Sequence, residues 1–163
     1  MQRRLLLAAG ALALSACGFK LREAPDFAFD SIAISGSNSG LAAQLRRTMS
    51  AGGDLQVLPA DAPAGQAQVV LDLLREHQEK VVVGLNASGQ VREFQLRSIL
   101  GFRLRTPQGR VLIPPTELVQ ERDVSFNESA VLAKESEEGL LYRDMQNDLV
   151  QQLMRRLAAV KSL

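Results

Sequence analysis

Few residues of this chain are of the kinds that perform catalysis or bind metal ions. The 163-residue sequence has one histidine, His77, and one cysteine, Cys17. Cysteine-dependent catalysis usually pairs the thiol with a histidine, and structural metal sites need several such ligands at close spacing. His77 lies between Glu76 and Gln78 in strand-like sequence, where a solvated side chain is the ordinary interpretation. We find no nucleophile motif, phosphate-binding glycine loop or metal cluster, so the sequence predicts no enzyme, no metal and no cofactor.

The cysteine lies where a lipid attachment site is expected. Arg3 and Arg4 precede a ten-residue apolar run, residues 5–14, which is too short to span a bilayer as a helix of about 20 residues. Residues 14–17, Leu-Ser-Ala-Cys, resemble the bacterial lipobox, whose cysteine receives a diacylglycerol and becomes the acylated N-terminus. We predict a lipoprotein signal peptide over residues 1–16, cleavage between Ala16 and Cys17, and lipidation of Cys17. The alternative is a plain secretory signal, which would leave a lone thiol in an oxidising compartment.

The anchor also predicts where the mature protein resides. Each buried methylene group contributes roughly 0.8 kcal/mol, so several acyl chains hold a protein firmly on a membrane. Residue 18 is glycine, not the aspartate that resembles an inner-membrane retention signal. We therefore predict a lipid anchor in the outer membrane, facing the periplasm. Residues 17–26 would be the lipidated tether and residues 27–163 a single domain.

Arginines form the one basic feature that suggests a ligand. Arg97, Arg103 and Arg105 share a parity within strand-like sequence, Arg92 and Arg110 flank them, and residues 90–112 contain a single acid. Guanidinium groups match phosphate oxygens well, and lipid A is the abundant phosphate-bearing partner in the periplasm. We predict that Arg92, Arg97, Arg103 and Arg105 contact lipopolysaccharide. The alternative is an ordinary solvated sheet face that keeps the protein soluble.

The overall charge gives no reason to expect nucleic-acid binding. Removal of residues 1–16 takes away Arg3 and Arg4, so 17 of the 19 basic side chains remain beside 18 acidic ones. The mature chain then has a formal net charge of −1 with the histidine neutral. No broad basic surface is implied.

The elements that carry these residues follow from hydrophobic spacing. Alternation predicts four strands, the first at 28–35, the second from 67 to 83, the third around the arginines and the fourth at 110–126. Turn sequences at 86–89 and 106–109 join the last three strands into an antiparallel meander. Pro114 and Pro115 predict that the last of these strands is an edge strand or contains a bulge, because proline cannot donate to a ladder.

Two helices complete the prediction. Leu41, Leu45 and Met49 recur every fourth residue in a short helix that ends at two glycines. A longer C-terminal helix carries a stripe at the same spacing, formed by Leu141, Met145, Leu149, Leu153 and Leu157. The predicted fold class is α+β, a two-layer sandwich of a mostly antiparallel four-stranded sheet with two helices packed on one face.

Three segments together resemble one family of bacterial lipoproteins. The first is Cys-Gly-Phe-Lys-Leu-Arg at 17–22, directly after the lipobox, and the second is the turn at 86–90 with the returning strand at 93–96. The third spans 130–157 and contains Leu-Ala-Lys-Glu at 132–135 and Leu-Tyr-Arg-Asp-Met at 141–145. In this order the segments are similar to the LptE family of lipopolysaccharide-assembly lipoproteins.

The resemblance implies a role that composition and periodicity do not. Members of the family form a one-to-one complex with the LptD β-barrel, sit inside it as a plug, help it to assemble and bind lipopolysaccharide. Lys134 falls on a family lysine associated with lipopolysaccharide contact, whereas a family arginine before the first hairpin turn corresponds to Ala87 here. A competing hypothesis is a periplasmic lipoprotein that scaffolds or activates a cell-envelope enzyme.

Overall fold

The structure is a computed structural model, which describes residues 25–36, 39–53, 55–127 and 131–163. Five strands and two α-helices are present in these ranges, with a 3-10 turn at Ala64–Gln66. The elements in chain order are β1 (Ser31–Ser35), α1 (Gly40–Ser50), β2 (Gln56–Val57), β3 (Val69–Leu85), β4 (Val91–Arg105), β5 (Val111–Ser125) and α2 (Val131–Ala158). Among these ranges we find no helix with the length and apolarity required to cross a membrane.

The strands form one sheet in the order β2-β1-β3-β4-β5. β3, β4 and β5 pair antiparallel as the predicted meander, whereas β1 pairs parallel with both β2 and β3. The α+β class, the mostly antiparallel sheet and the two helices are therefore confirmed. The sheet has five strands, whereas the sequence predicted four. The additional strand is β2, whose two residues are too few to show alternation in the sequence.

The first hairpin turn is fixed by one side chain. The Asn86 Oδ1 accepts hydrogen bonds from the backbone N–H groups of Ser88, at 3.0 Å, and Gln90, at 2.9 Å. Gly89 adopts a φ of 78°, in the left-handed region that favours glycine. These contacts join β3 to β4 and set the position from which the returning strand begins.

The prolines of β5 have the predicted effect. β5 is the edge strand of the sheet, and its pairing shifts between Phe102–Thr116 and Leu104–Ile113, where β5 has one residue more than β4. Pro114 and Pro115 lie in this bulge, where a missing N–H does not interrupt a regular ladder. Both halves of the prediction, edge strand and bulge, are confirmed.

The main core lies between the sheet and the two helices. Leu41, Leu45 and Met49 of α1 are buried, which confirms the predicted stripe. On α2 the stripe is buried from Met145 onwards. The core also takes in Ile32, Val69, Leu71, Leu100, Phe102 and Leu104 from the sheet. Among the residues that the structure describes, no helix packs on the other face of β3, β4 and β5, and we call it the open face.

Candidate functional site

The open face carries three of the predicted arginines. Arg103 and Arg105 lie near the end of β4 and both reach Asp72 on β3, which is directly opposite Arg103 in the ladder. Arg103 donates from Nη2 to Asp72 Oδ2 at 2.6 Å, and Arg105 donates from Nε to the same oxygen at 2.8 Å. The two guanidinium groups therefore already share one carboxylate within the protein.

The Asp72 carboxylate is held in its charged form. Burial by itself would raise its pKa, but the hydrogen bonds and charge attraction of Arg105 and Arg103 outweigh burial and lower the pKa below the ordinary value of 3.8. The hydrogen bond to Asp72 likewise raises the pKa of Arg105. With 12% of the Asp72 side chain exposed, this cluster is a partly desolvated ion triad.

Arg97 is paired in the same manner further along the open face. Its Nη1 lies 2.6 Å from Glu79 Oε1 on β3, and its Nε lies 2.8 Å from Glu121 Oε1 on β5. A carboxylate from each neighbouring strand thus balances the arginine. These acids lie 18 and 24 residues away in the chain, outside the window in which the sequence appeared to contain a single acid.

Arg92 differs from the other three. It lies at the opposite end of β4 from Arg103 and Arg105, where the pairing with β3 passes from Glu93 to Val91 and leaves Arg92 without a partner on β3. Its side chain is exposed and makes no ion pair with the residues that the structure describes. The structure therefore does not assemble the four arginines into one site. Contact of any of them with lipopolysaccharide stays a prediction, and the pairing of Arg97, Arg103 and Arg105 favours the solvated-face alternative for these three.

A small cavity lies on the helix-covered side, where the ends of β4 and β5 near the hairpin meet the first turns of α2. Its volume is about 90 Å³. The cavity combines cationic, aromatic and acidic side chains, and its lining residues are Lys80, Phe94, Val124, Ser125, Phe126, Lys134, Glu135 and Glu138. We call it the lysine cavity.

Lys134 enters the lysine cavity from the first turns of α2. Its Nζ lies 2.8 Å from Glu137 Oε2, three residues along the helix, and 3.3 Å from Ser125 Oγ at the end of β5. A quarter of the Lys134 side chain is exposed. The family lysine suggested by the sequence thus lies on a concave, accessible surface.

Lys80 reaches the same cavity from β3 and was missed by sequence reasoning. Its Nζ lies 2.6 Å from Glu138 Oε2 and 4.3 Å from the centre of the Phe94 ring. Phe94 in turn packs edge-on against Phe126 with ring centres 5.2 Å apart. Lys80 is opposite the fully buried Leu96 in the ladder and therefore lies on the helix-covered face. Its parity in the sequence does not predict this face, because a register shift earlier in β3, at residues 73–75, reverses the alternation.

A hydrogen bond from Tyr142 connects α2 to β3 beside the lysine cavity. Its hydroxyl donates to the backbone carbonyl of Glu79 at 2.9 Å. Burial raises the pKa of the Tyr142 hydroxyl, and the negative charges of Glu138 and Glu79 raise it further. Tyr142 therefore acts as a neutral hydrogen-bond donor that positions the helix.

His77 does not line the lysine cavity. The His77 side chain is 46% exposed, with Nε2 at 3.7 Å from Glu79 Oε2. In the described ranges there is no group of three or more acidic, histidine or cysteine side chains suited to hold a metal ion. Ala16 and Cys17, with the predicted cleavage and lipidation sites, lie outside the described residues.

The lysine cavity offers ammonium groups beside aromatic rings, an arrangement suited to binding an anionic amphiphile.

Comparison with known families supplies the identity of the domain. The profile of the LptE family, described as Lipopolysaccharide-assembly, matches residues 29–157. This chain belongs to the LptE family. The LptE family comprises non-enzymatic lipopolysaccharide-assembly lipoproteins, so its members act in lipopolysaccharide assembly without catalysing a reaction. A search of curated protein sequences gave no significant match.

Solved structures agree with the family assignment. The solution structure of uncharacterized lipoprotein B from Nitrosomonas europaea is 30% identical, with a TM-score of 0.75, and the match covers 87% of this chain and 91% of that chain. Rare lipoprotein B from Shewanella oneidensis is 22% identical, with a TM-score of 0.66 and coverage of 79% and 94%. A minor lipoprotein from Acinetobacter baumannii is 19% identical, with a TM-score of 0.63 and coverage of 82% and 94%. The last two are similar to this chain in fold.

Proposed function

We propose that this LptE-family protein is an outer-membrane lipoprotein that plugs the LptD β-barrel, helps it to assemble and binds lipopolysaccharide for insertion at the outer leaflet. Residues 1–16 are the signal peptide, Cys17 carries the lipid, residues 17–26 form the tether, and the LptE-like domain spans residues 27–163. The observation that carries the proposal is the family match over residues 29–157.

The surface of the domain is compatible with a plug. The lumen of a membrane barrel is polar, so a protein inside it needs polar outer faces. On the open face the charged side chains pair across strands, as Arg97 does with Glu79 and Glu121 and Arg75 with Glu117. Because these charged side chains neutralise one another within the domain, the open face can contact the polar wall of a barrel without leaving a large unbalanced charge.

The lysine cavity is the part of the domain best suited to lipopolysaccharide. It brings Lys134 and Lys80 beside Phe94 and Phe126. Ammonium groups bind phosphate, and aromatic rings contact the apolar part of a glycolipid. Arg92, Arg97, Arg103 and Arg105 rank behind Lys134 as proposed contacts. A phosphate that binds Arg97, Arg103 or Arg105 would first have to displace the carboxylate that already pairs with that arginine, which is Asp72, Glu79 or Glu121.

Affinity purification tests the partner. The tagged, lipidated protein is extracted from outer membranes in detergent, and the co-purifying protein is identified and its stoichiometry measured. A one-to-one complex with a large β-barrel supports the proposal. A preparation without any barrel, or one that contains a cell-wall enzyme, would overturn it in favour of an envelope scaffold.

The lipid anchor is tested by Cys17→Ala. We expect the variant to fold but to leave the membrane, because acylation requires the thiol. The measurement is the fraction of the variant that remains in washed outer membranes. The cells lack the barrel, so that binding to the barrel cannot hold the variant on the membrane in place of the lipid. Undiminished membrane association there would contradict lipidation at Cys17.

The lipopolysaccharide contact is tested by Lys134→Asp. We expect weaker binding of purified lipopolysaccharide with little change in thermal stability, because the Lys134 side chain is partly exposed and, among the residues that the structure describes, pairs with Glu137 of its own helix and with Ser125. Lys161→Asp, at an exposed lysine beyond the other end of α2, is the matched control. Equal binding by both variants would remove Lys134 from the site.

A further inference from the structure

The two ammonium groups of the lysine cavity come from distant parts of the chain and are held by neighbouring carboxylates. Lys80 is on β3 and Lys134 is on α2, yet their partners, Glu138 and Glu137, are consecutive residues of α2. Both Nζ–Oε2 distances are short, 2.6 Å for Lys80 and 2.8 Å for Lys134. One turn of helix therefore neutralises both cations of the cavity.

These ion pairs remain open to competition from solvent and ligand. The side chains are 36% exposed for Lys80, 24% for Glu138, 25% for Lys134 and 49% for Glu137. Exposed pairs of this kind are weak, since water already solvates part of each charge. A phosphate group has up to two negative charges and three acceptor oxygens, so it can replace a single carboxylate oxygen at an ammonium group.

Lys80 has a second contact that does not depend on Glu138. Its Nζ lies 4.3 Å above the ring centre of Phe94, a cation–π geometry that orients the ammonium group over the ring. Phe94 is supported in turn by Phe126. The cation therefore keeps an anchor in the cavity when its carboxylate partner moves away.

From this geometry we propose that Lys80 is a second phosphate-binding residue of the lysine cavity, and that Glu137 and Glu138 are internal counter-ions that the phosphate displaces. The inference rests on the proposed function, because it assigns further residues to the same lipopolysaccharide site. The ligand class is a phosphate attached to an apolar group, because Phe94, Phe126 and Val124 line the cavity next to the cations.

The proposal predicts effects of opposite sign for the two partners of one ion pair. Lys80→Met keeps most of the apolar stem and removes the charge, so it weakens binding. Glu138→Gln keeps the shape and removes the competing charge, so it strengthens binding. An ion pair that only supports the fold would not produce this opposition, because loss of either partner would have a neutral or harmful effect.

The experiment measures binding of the mature, lipidated protein in detergent to purified lipopolysaccharide, to the same material after dephosphorylation, and to inorganic phosphate. We expect roughly fivefold weaker binding for Lys80→Met and a comparable gain for Glu138→Gln, the factor that one partly exposed ion pair supplies. Lys80→Arg should retain binding. Dephosphorylation should reduce the difference between wild type and Lys80→Met, and inorganic phosphate should bind far more weakly than lipopolysaccharide.

Matched controls are available elsewhere in the chain. Lys161→Met removes an exposed lysine at the far end of the molecule, and Glu117→Gln removes a carboxylate that pairs with Arg75 on the open face. Neither should change lipopolysaccharide binding. Melting temperatures of all variants separate loss of folding from loss of binding.

The outcomes distinguish this inference from the proposed function. If the wild-type protein binds no lipopolysaccharide, both are overturned. If the wild type binds and Lys134→Asp weakens binding while a folded Lys80→Met does not, the site stands and the role of Lys80 is wrong. If Glu138→Gln weakens binding, the carboxylate is not a displaced counter-ion. Equal affinity for inorganic phosphate and lipopolysaccharide would overturn the assigned ligand class.

Discussion

The two ends of the long strands β3 and β4 are stabilised in different ways. In the packed half, defined as β1, α1 and residues 69–73, 100–105 and 149–158, the strands are covered by both helices, and residues 69–72 of β3 are all buried. In the hairpin half, defined as residues 74–99, 119–126 and 131–148, no residue of β3 is buried. A smaller cluster of Leu96, Val124 and Met145 remains there, together with ion pairs and the lysine cavity.

The two halves of this continuous sheet differ in how much apolar surface they bury. Burial of apolar side chains provides most of the stability, and in this protein it is concentrated in the packed half. The hairpin half is left with partly exposed charges and an accessible cavity. A ligand of the kind proposed for the lysine cavity would rearrange these side chains without disturbing the main core, so stability and the proposed binding depend on different parts of the sheet.

The largest predicted effect is in the packed half. Leu149→Asp places a charge at a fully buried position of the main core, and we expect a loss of about 4 kcal/mol in the free energy of unfolding. Denaturant titration measures it. The control is Leu132→Asp on the same helix, where the side chain is 80% exposed and little change is expected. Comparable losses in both variants would show that the two halves do not differ.

A smaller effect is expected at the ion triad of the packed half. Asp72→Asn leaves Arg103 and Arg105 without their shared carboxylate, and we expect a loss of about 2 kcal/mol at neutral pH. The lowered pKa of Asp72 means that its contribution is present above the ordinary carboxyl value of 3.8 and is lost as the pH falls below it.

The pH dependence supplies a second measurement for this variant. Unfolding followed from pH 7 down to about 2 should show the gap between wild type and Asp72→Asn closing at the acidic end. Asp61→Asn, at an exposed aspartate, is the control and should run parallel to the wild type. A gap of constant size across this range would contradict the role assigned to the Asp72 charge.

The smallest effect is expected on the open face of the hairpin half. Arg97→Met removes a side chain that is 34% exposed and pairs with Glu79 and Glu121. We expect a loss of about 0.5 kcal/mol, because solvent screens such pairs. The thermal unfolding of Arg97→Met is compared with that of Arg92→Met, because Arg92 lies on the same strand and makes no ion pair with the described residues. The difference between the two variants isolates the contribution of the ion pairs. A loss as large as that of Asp72→Asn would mean that the hairpin half also depends on charge pairing.

Much of the fold follows from local patterns in the sequence. The meander and the C-terminal helix were predictable because alternation, turn residues and the spacing of Leu149, Leu153 and Leu157 are local signals. β2 was missed because two residues have no period. The parallel pairing of β1 with β3 was missed because Ile32 meets Val69 across a helix and a loop, and no local signal records that meeting.

The candidate site was less predictable for the same reason. Lys134 was found through a family resemblance, whereas Lys80 becomes a site residue only when α2 brings Glu138 within 2.6 Å. The arginines looked unbalanced because Asp72, Glu79 and Glu121 lie on the neighbouring strands. Cross-strand partners are set by register, which depends on turns, bulges and packing of the whole sheet.

The mixed strand directions also bear on the order in which the domain folds. The β3–β4 and β4–β5 connections are short and close through backbone bonds of Asn86 with Gln90 and Thr106 with Arg110. Parallel pairing of β1 requires a crossover that brings together residues 37 positions apart, as Ile32 and Val69. Closing short loops first is entropically easier. We therefore expect the meander to form early and the N-terminal strand, which follows the proposed tether in the chain, to join it last.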